Sequence, residues 1–236
     1  MNIMNSTMRT DKINATVAGV FFIIAAVAAI TGLILYDPLL NHSDYLIRGA
    51  RYSNQIVLGA FLELILSCSA VGTGIMLYPY LRKVNESLGM GYVCFRMLEV
   101  VFILIGIVSV LSLLTLSISF TNTTAPDAAS FQATGRTLKA IHEWTFMLGP
   151  NFMLGINTFI YSYVLFQSKL VPRKISVIGI LGAILIFTAA LLEMFGIILQ
   201  ISIWGALLGM PIFVYEMTLA IWLIIKGFNY PVETVN

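Results

Sequence analysis

Gly89-Met90-Gly91-Tyr92-Val93-Cys94-Phe95-Arg96-Met97-Leu98-Glu99-Val100 opens an apolar run that continues to Phe120 and carries only two charges. The run exceeds the ~20 residues that a bilayer core requires, so it reads as a transmembrane helix that tilts or projects beyond the core. Arg96 and Glu99 lie inside it, where each charge costs roughly 2.5–3.5 kcal/mol on insertion scales. The chain must therefore supply partners or a use for them. A spacing of three puts both on one helix face, where they can pair, and leaves the guanidinium able to bridge a second carboxylate.

Five more apolar stretches flank this one. With the run over 90–120, spans are expected at 13–36, 56–78, 140–166, 175–199 and 204–225. The 236 residues are 59% hydrophobic and 10% charged, whereas a soluble domain carries about a quarter charged residues. The fold class is therefore all-α, a polytopic membrane bundle of six helices in one integral membrane domain over 1–236, with the lipid bilayer as its surroundings. The polar connectors at 41–55 and 121–139 are expected to hold short interfacial helices. Ser43 would cap the first, and Thr124-Ala125-Pro126-Asp127 would start the second. Pro150 removes a backbone hydrogen bond from the fourth span and predicts a kink there. A polar tail follows Lys226-Gly227.

Charge sets orientation and excludes some functions. Arg9, Lys12, Arg82, Lys83, Lys169, Arg173, Lys174 and Lys226 fall on the side of the termini, and Arg48, Arg51, Arg136 and Lys139 on the other. By the positive-inside rule this excess puts both termini in the cytoplasm. The net charge of +2 and the lack of a basic stripe interleaved with aromatics exclude nucleic acid as a partner. Cys68 and Cys94 sit in apolar runs without ligand-like spacing and read as small packing residues.

A rise of 1.5 Å per residue converts position into depth. Arg96 and Glu99 then lie roughly 10–14 Å from the cytoplasmic end, with Glu216 and Asn157 near roughly 15 Å. These four form a candidate charge cluster, either ligand-binding or structural, with Glu216 as the expected second partner of Arg96. Glu63, Asn151 and Glu193 lie roughly 24–28 Å in and form a second polar layer. Four deep carboxylates face one deep guanidinium, so the outer acids must be protonated, open to water, or bound to a cation.

Motifs of known chemistry fail. His142-Glu143 begins a zinc-protease tetrad, but Phe146 stands where the second histidine belongs. No Glu-x-x-His pair, nucleophile elbow, P-loop or Rossmann glycine pattern occurs, so no metal, cofactor or catalytic residue is expected. His142 and Glu143 read as boundary residues, and Tyr36, Tyr78, Trp144 and Trp204 as an interfacial belt. Gly205 and Gly209 fit a small-xxx-small face, for a neighbouring helix or for a homodimer.

Several phrases carry a resemblance: Leu58-Gly59-Ala60-Phe61-Leu62-Glu63-Leu64, Gly91 through Glu99, Ala125-Pro126-Asp127, Leu148-Gly149-Pro150, Leu170-Val171-Pro172-Arg173, and Glu216-Met217 with Trp222 through Phe228. The chain resembles a bacterial family of integral membrane proteins known only as domain of unknown function 4386. The resemblance implies a six-helix protein of the bacterial inner (cytoplasmic) membrane. It matches Glu63, Arg96, Glu99 and Glu216 to charged positions of family motifs, while an expected Arg-Asp pair is His142-Glu143 here. No reaction or ligand follows from it. The excess of deep acid favours a protein that binds or transports a small lipophilic or cationic ligand in a carboxylate-lined cavity. A membrane scaffold with a structural charge cluster and an intramembrane enzyme stand as alternatives.

Overall fold

An apolar run without water must satisfy its backbone internally, which favours helix throughout. In the computed structural model, which describes residues 2–199 and 202–229, helices fill nearly the whole chain and no strand occurs among the described residues. The polar tail expected after Gly227 lies, from residue 230 on, outside the described residues. In order these are α1 (Asn2–Leu35), α2 (Asp37–Leu40), α3 (Tyr45–Arg51), α4 (Ser53–Val84), α5 (Glu86–Asn122) and α6 (Ala128–Phe146). A π-helical segment (Met147–Met153), α7 (Leu154–Ser168), α8 (Arg173–Met194) and α9 (Ile203–Ile225) complete the series. Five of them, α1 from Arg9, α4, α5, α8 and α9, are long and apolar enough to cross a membrane. Their outward side chains, among them Val27, Val108, Leu181 and Leu207, are exposed apolar groups. Such a surface points to a membrane protein.

Several boundaries differ from the sequence expectation. The stretch expected at 175–199 stops at Met194, because Gly196 adopts φ +68°. Its N–H donates to Glu193 O and that of Ile197 to Leu192 O, the pairing of a Schellman cap. Asp127, not Thr124, caps α6, its carboxylate accepting from the N–H groups of Ala129 and Ser130. Asp44 rather than Ser43 precedes α3, and its carboxylate is taken by the Arg48 guanidinium at 3.0 Å instead of by the helix backbone. Pro150 does more than kink its helix. It has no N–H to give, and the turn around it widens into the π segment, where Leu154 N–H reaches back to Gly149 O.

α1 packs on α4, α4 on α5, α5 on α7, α7 on α8, α8 on α9, and α9 back on α1, so the long helices close a ring in chain order. α6 and the π segment lie against α5, and the π segment also against α8. Two apolar cores fill opposite ends of the ring. One gathers Phe22, Leu77, Leu81, Tyr92, Tyr161, Tyr215 and Leu219, and the other Tyr36, Leu39, Ile56, Ile103 and Leu113. Lys12 Nζ fastens the first end by donating to the carbonyls of Ile224 at 2.9 Å and Ile225 at 2.7 Å, a cation at a helix C-terminus. The polar side chains lie between the two cores.

Candidate functional site

Two glycines bring α1 and α4 together beside the first acid. A Cβ on Gly32 would stand 3.1 Å from Glu63 Cγ and 3.3 Å from Gly59 O, and one on Gly59 would stand 2.9 Å from the Tyr36 ring. That approach delivers the Tyr36 hydroxyl to Glu63 Oε2 at 3.1 Å. Tyr36 is fully buried, so the belt position expected for it is corrected. Its ring fills the space that Gly59 leaves, and its hydroxyl finds an acceptor inside the protein rather than at an interface.

The spacing of Arg96 and Glu99 on α5 produces the pair it promised. Arg96 Nη1 donates to Glu99 Oε2 at 3.0 Å, with both side chains buried. Arg96 Nε donates to Ala70 O at 3.3 Å and the guanidinium lies 6.0 Å from the centre of the Phe22 ring. Asn157 on α7, itself wholly buried, donates to the same Glu99 oxygen at 2.6 Å. The guanidinium is thereby committed to Glu99 and the α4 backbone, and the bridge expected from it to Glu216 does not form. Glu216 is half-buried on α9, and its Oε1 is enclosed without a hydrogen-bond partner.

The expected layers regroup around a cavity of about 260 Å³. Glu63, Arg96, Glu99 and Glu216 all line it, so an acid assigned to the outer layer joins the inner cluster. Apart from His142 and Thr145 the remaining walls are apolar: Ala25, Ala26 and Ala29 of α1, whose small side chains leave the room, with Leu66, Phe102 and Phe146 opposite. Asn157 supports Glu99 from behind without lining the cavity. Asn151 and Glu193 form a separate pair, Nδ2 to Oε2 at 2.8 Å, outside the lining.

His142 and Thr145 were not expected there. His142 is 6% exposed rather than at a boundary, lies edge-on to Tyr36, and lines the cavity with a buried Nδ1 that makes no close, well-aligned hydrogen bond. The signal was present: positions 142, 145, 146, 149 and 150 recur at helical spacing and mark one inward face. Cys68 and Cys94, expected as packing residues, are exposed on the outer surface as free thiols. Trp144 and Trp204 are exposed, as a belt requires. A Cβ on Gly209 would meet only Ile186 Cδ1 of α8, at 3.5 Å.

Chemically, the cavity offers three carboxylates, one already engaged guanidinium, the His142 imidazole and the Thr145 hydroxyl within otherwise apolar walls. Among the described residues no three His, Cys, Asp or Glu side chains stand close enough to hold a metal ion. The acids border a space rather than converge on a point. A family model described as "Domain of unknown function (DUF4386)" matches residues 17–227. No curated protein and no solved structure matches the chain.

Proposed function

This chain belongs to the DUF4386 family, and from that premise we propose that it is a bacterial inner-membrane protein that binds a small lipophilic cation in the cavity bordered by Glu63, Glu99 and Glu216. In this reading 1–236 form one domain of six spans, the fourth being the continuous run of α6, the π segment and α7, with both termini cytoplasmic. The observation that carries it is Glu216. Its enclosed Oε1 has no partner while the one nearby guanidinium is used elsewhere. A buried polar atom left in this way costs about 1–3 kcal/mol, which a bound donor would recover. Apolar walls and a volume of about 260 Å³ suit a small amine, since pockets for drug-sized ligands run about 300–1,000 Å³.

The test is a thermal-shift series on detergent-solubilised protein with lipophilic primary and tertiary amines, each beside its uncharged isostere. Amines should stabilise the protein, by about 2.7 kcal/mol at a hundredfold excess over Kd. Their neutral isosteres should not, and Glu216→Gln should abolish the effect. Equal shifts from amines and isosteres, or a Glu216→Gln protein that responds like the parent, defeats the proposal. A second reading, of a scaffold locked by charge, is favoured for one part only. Arg96, Glu99 and Asn157 satisfy one another and need no ligand.

A further inference from the structure

A second cavity, of about 320 Å³, lies at the end of the bundle that carries α2. Its mouth holds Asp37, Asn41 and Glu143, and it meets the acid-lined cavity at Leu33, His142 and Phe146, which line both. The two spaces therefore adjoin across these three residues. Asp37 is a fixed anion at the mouth: Asn41 Nδ2 donates to its Oδ1 at 3.1 Å and His42 Nε2 lies 3.0 Å from its Oδ2. The partition's polar member, His142, is buried beside the Gly106 backbone, and its Nδ1 makes no close, well-aligned hydrogen bond. Toward the far end of the bundle the described residues pack ring against ring. There Tyr92, Tyr161 and Tyr215 are wholly buried, with ring centres 5.1 and 5.8 Å apart in sequence.

We infer that the outer chamber is the entrance vestibule of the acid-lined cavity, and that small organic cations pass from Asp37 and Glu143 to the inner acids across His142. This rests on the reading of the inner cavity as a cation site and adds its route and sidedness. An acidic mouth concentrates cations ahead of a narrow passage. The imidazole at the passage supplies a polar step where the other two members of the partition, Leu33 and Phe146, are apolar. Entry from the face that carries α2 follows from the place of the vestibule there, with the buried Tyr92, Tyr161 and Tyr215 lying toward the other face.

The route is tested without any ligand, by the reaction of single thiols with a trimethylammonium methanethiosulfonate, which is permanently charged. In a Cys68→Ala, Cys94→Ala background, Asn41→Cys marks the face carrying α2 and Arg82→Cys marks the opposite face, both positions being exposed. Thr145→Cys, in the inner cavity, should react only when the reagent is applied to the Asn41 face. His142→Ala, which removes the polar step, and Leu33→Trp, which narrows the passage, should each slow that reaction about tenfold. The Asn41→Cys rate should stay constant in both, and each variant should elute as the parent does in size-exclusion chromatography. Reaction of Thr145→Cys from the Arg82 face alone, from neither face, or at a rate indifferent to both partition variants overturns the route. If the labelling pattern appears but amines give no thermal shift, the route stands and the cation-site reading falls. If amines bind while the labelling pattern fails, only the route falls.

Discussion

The side chain of Glu99 shows how one residue organises its neighbours. A single oxygen, Oε2, accepts from Arg96 at 3.0 Å and from Asn157 at 2.6 Å, which ties α5 to α7. Removing one member of a buried ion pair leaves the other charge uncompensated, and such losses run about 3–5 kcal/mol. Arg96→Met should therefore lower unfolding stability by about that amount. The double variant Arg96→Met with Glu99→Leu should recover most of it, read by denaturant titration in one detergent. Tyr36→Phe removes the donor to Glu63 and should cost about 1–3 kcal/mol by the same measurement. Glu63→Gln, which keeps an acceptor, should cost less. The pairing of Arg96 with Glu99 was legible in the sequence because it depends only on helical spacing. That of Tyr36 with Glu63 was not, since a tyrosine at a span end looks alike whether it faces lipid headgroups or a neighbouring helix.

Among the elements, α1 and α4 depend on what they lack. A side chain at position 32 would push into Glu63 Cγ and Gly59 O, which lie 3.1 and 3.3 Å from where its Cβ would stand. The helices would separate, with an overpacking cost of about 1–3 kcal/mol. Gly32→Leu should thus lower thermal stability, while Thr31→Leu at the exposed position next to it should be neutral. α2 carries a pH dependence. Hydrogen bonds from Asn41 and then from His42 hold the Asp37 carboxyl below the usual carboxylate range. A group whose folded pKa is depressed stabilises the fold above its unfolded pKa and loses that contribution as pH falls through the folded value. Amide protection in α2 should accordingly fade on acidification below the ordinary carboxylate range. Asn41→Ala, which deletes the larger cause, should move that loss to higher pH in hydrogen exchange. Helix ends were the least legible elements: the stop at Met194 needs Gly196 in a left-handed conformation, and the start at Ala128 needs Asp127 free to turn its carboxylate onto the backbone.

At the scale of the whole molecule, the ring of long helices is filled toward one end by Tyr92, Tyr161 and Tyr215 packed ring against ring, and further along polar side chains border a cavity. The length of the apolar runs and their lack of charge determined the all-helical class and the places of the runs, because a chain this poor in charge has few ways to bury its backbone polar groups. Charge spacing along α5 determined one ion pair. The grouping of acids from α4, α5 and α9 on one space was beyond depth counting. So was the entry of His142 into that space and the separation of Asn151 and Glu193 from it. Depth along a helix axis fixes one coordinate of a side chain, while rotation about the axis, tilt, and the approach that Gly32 and Gly59 permit fix the others. Those are settled only when all the helices pack at once, and they decide which of the buried charges are satisfied and which, like Glu216, face a void.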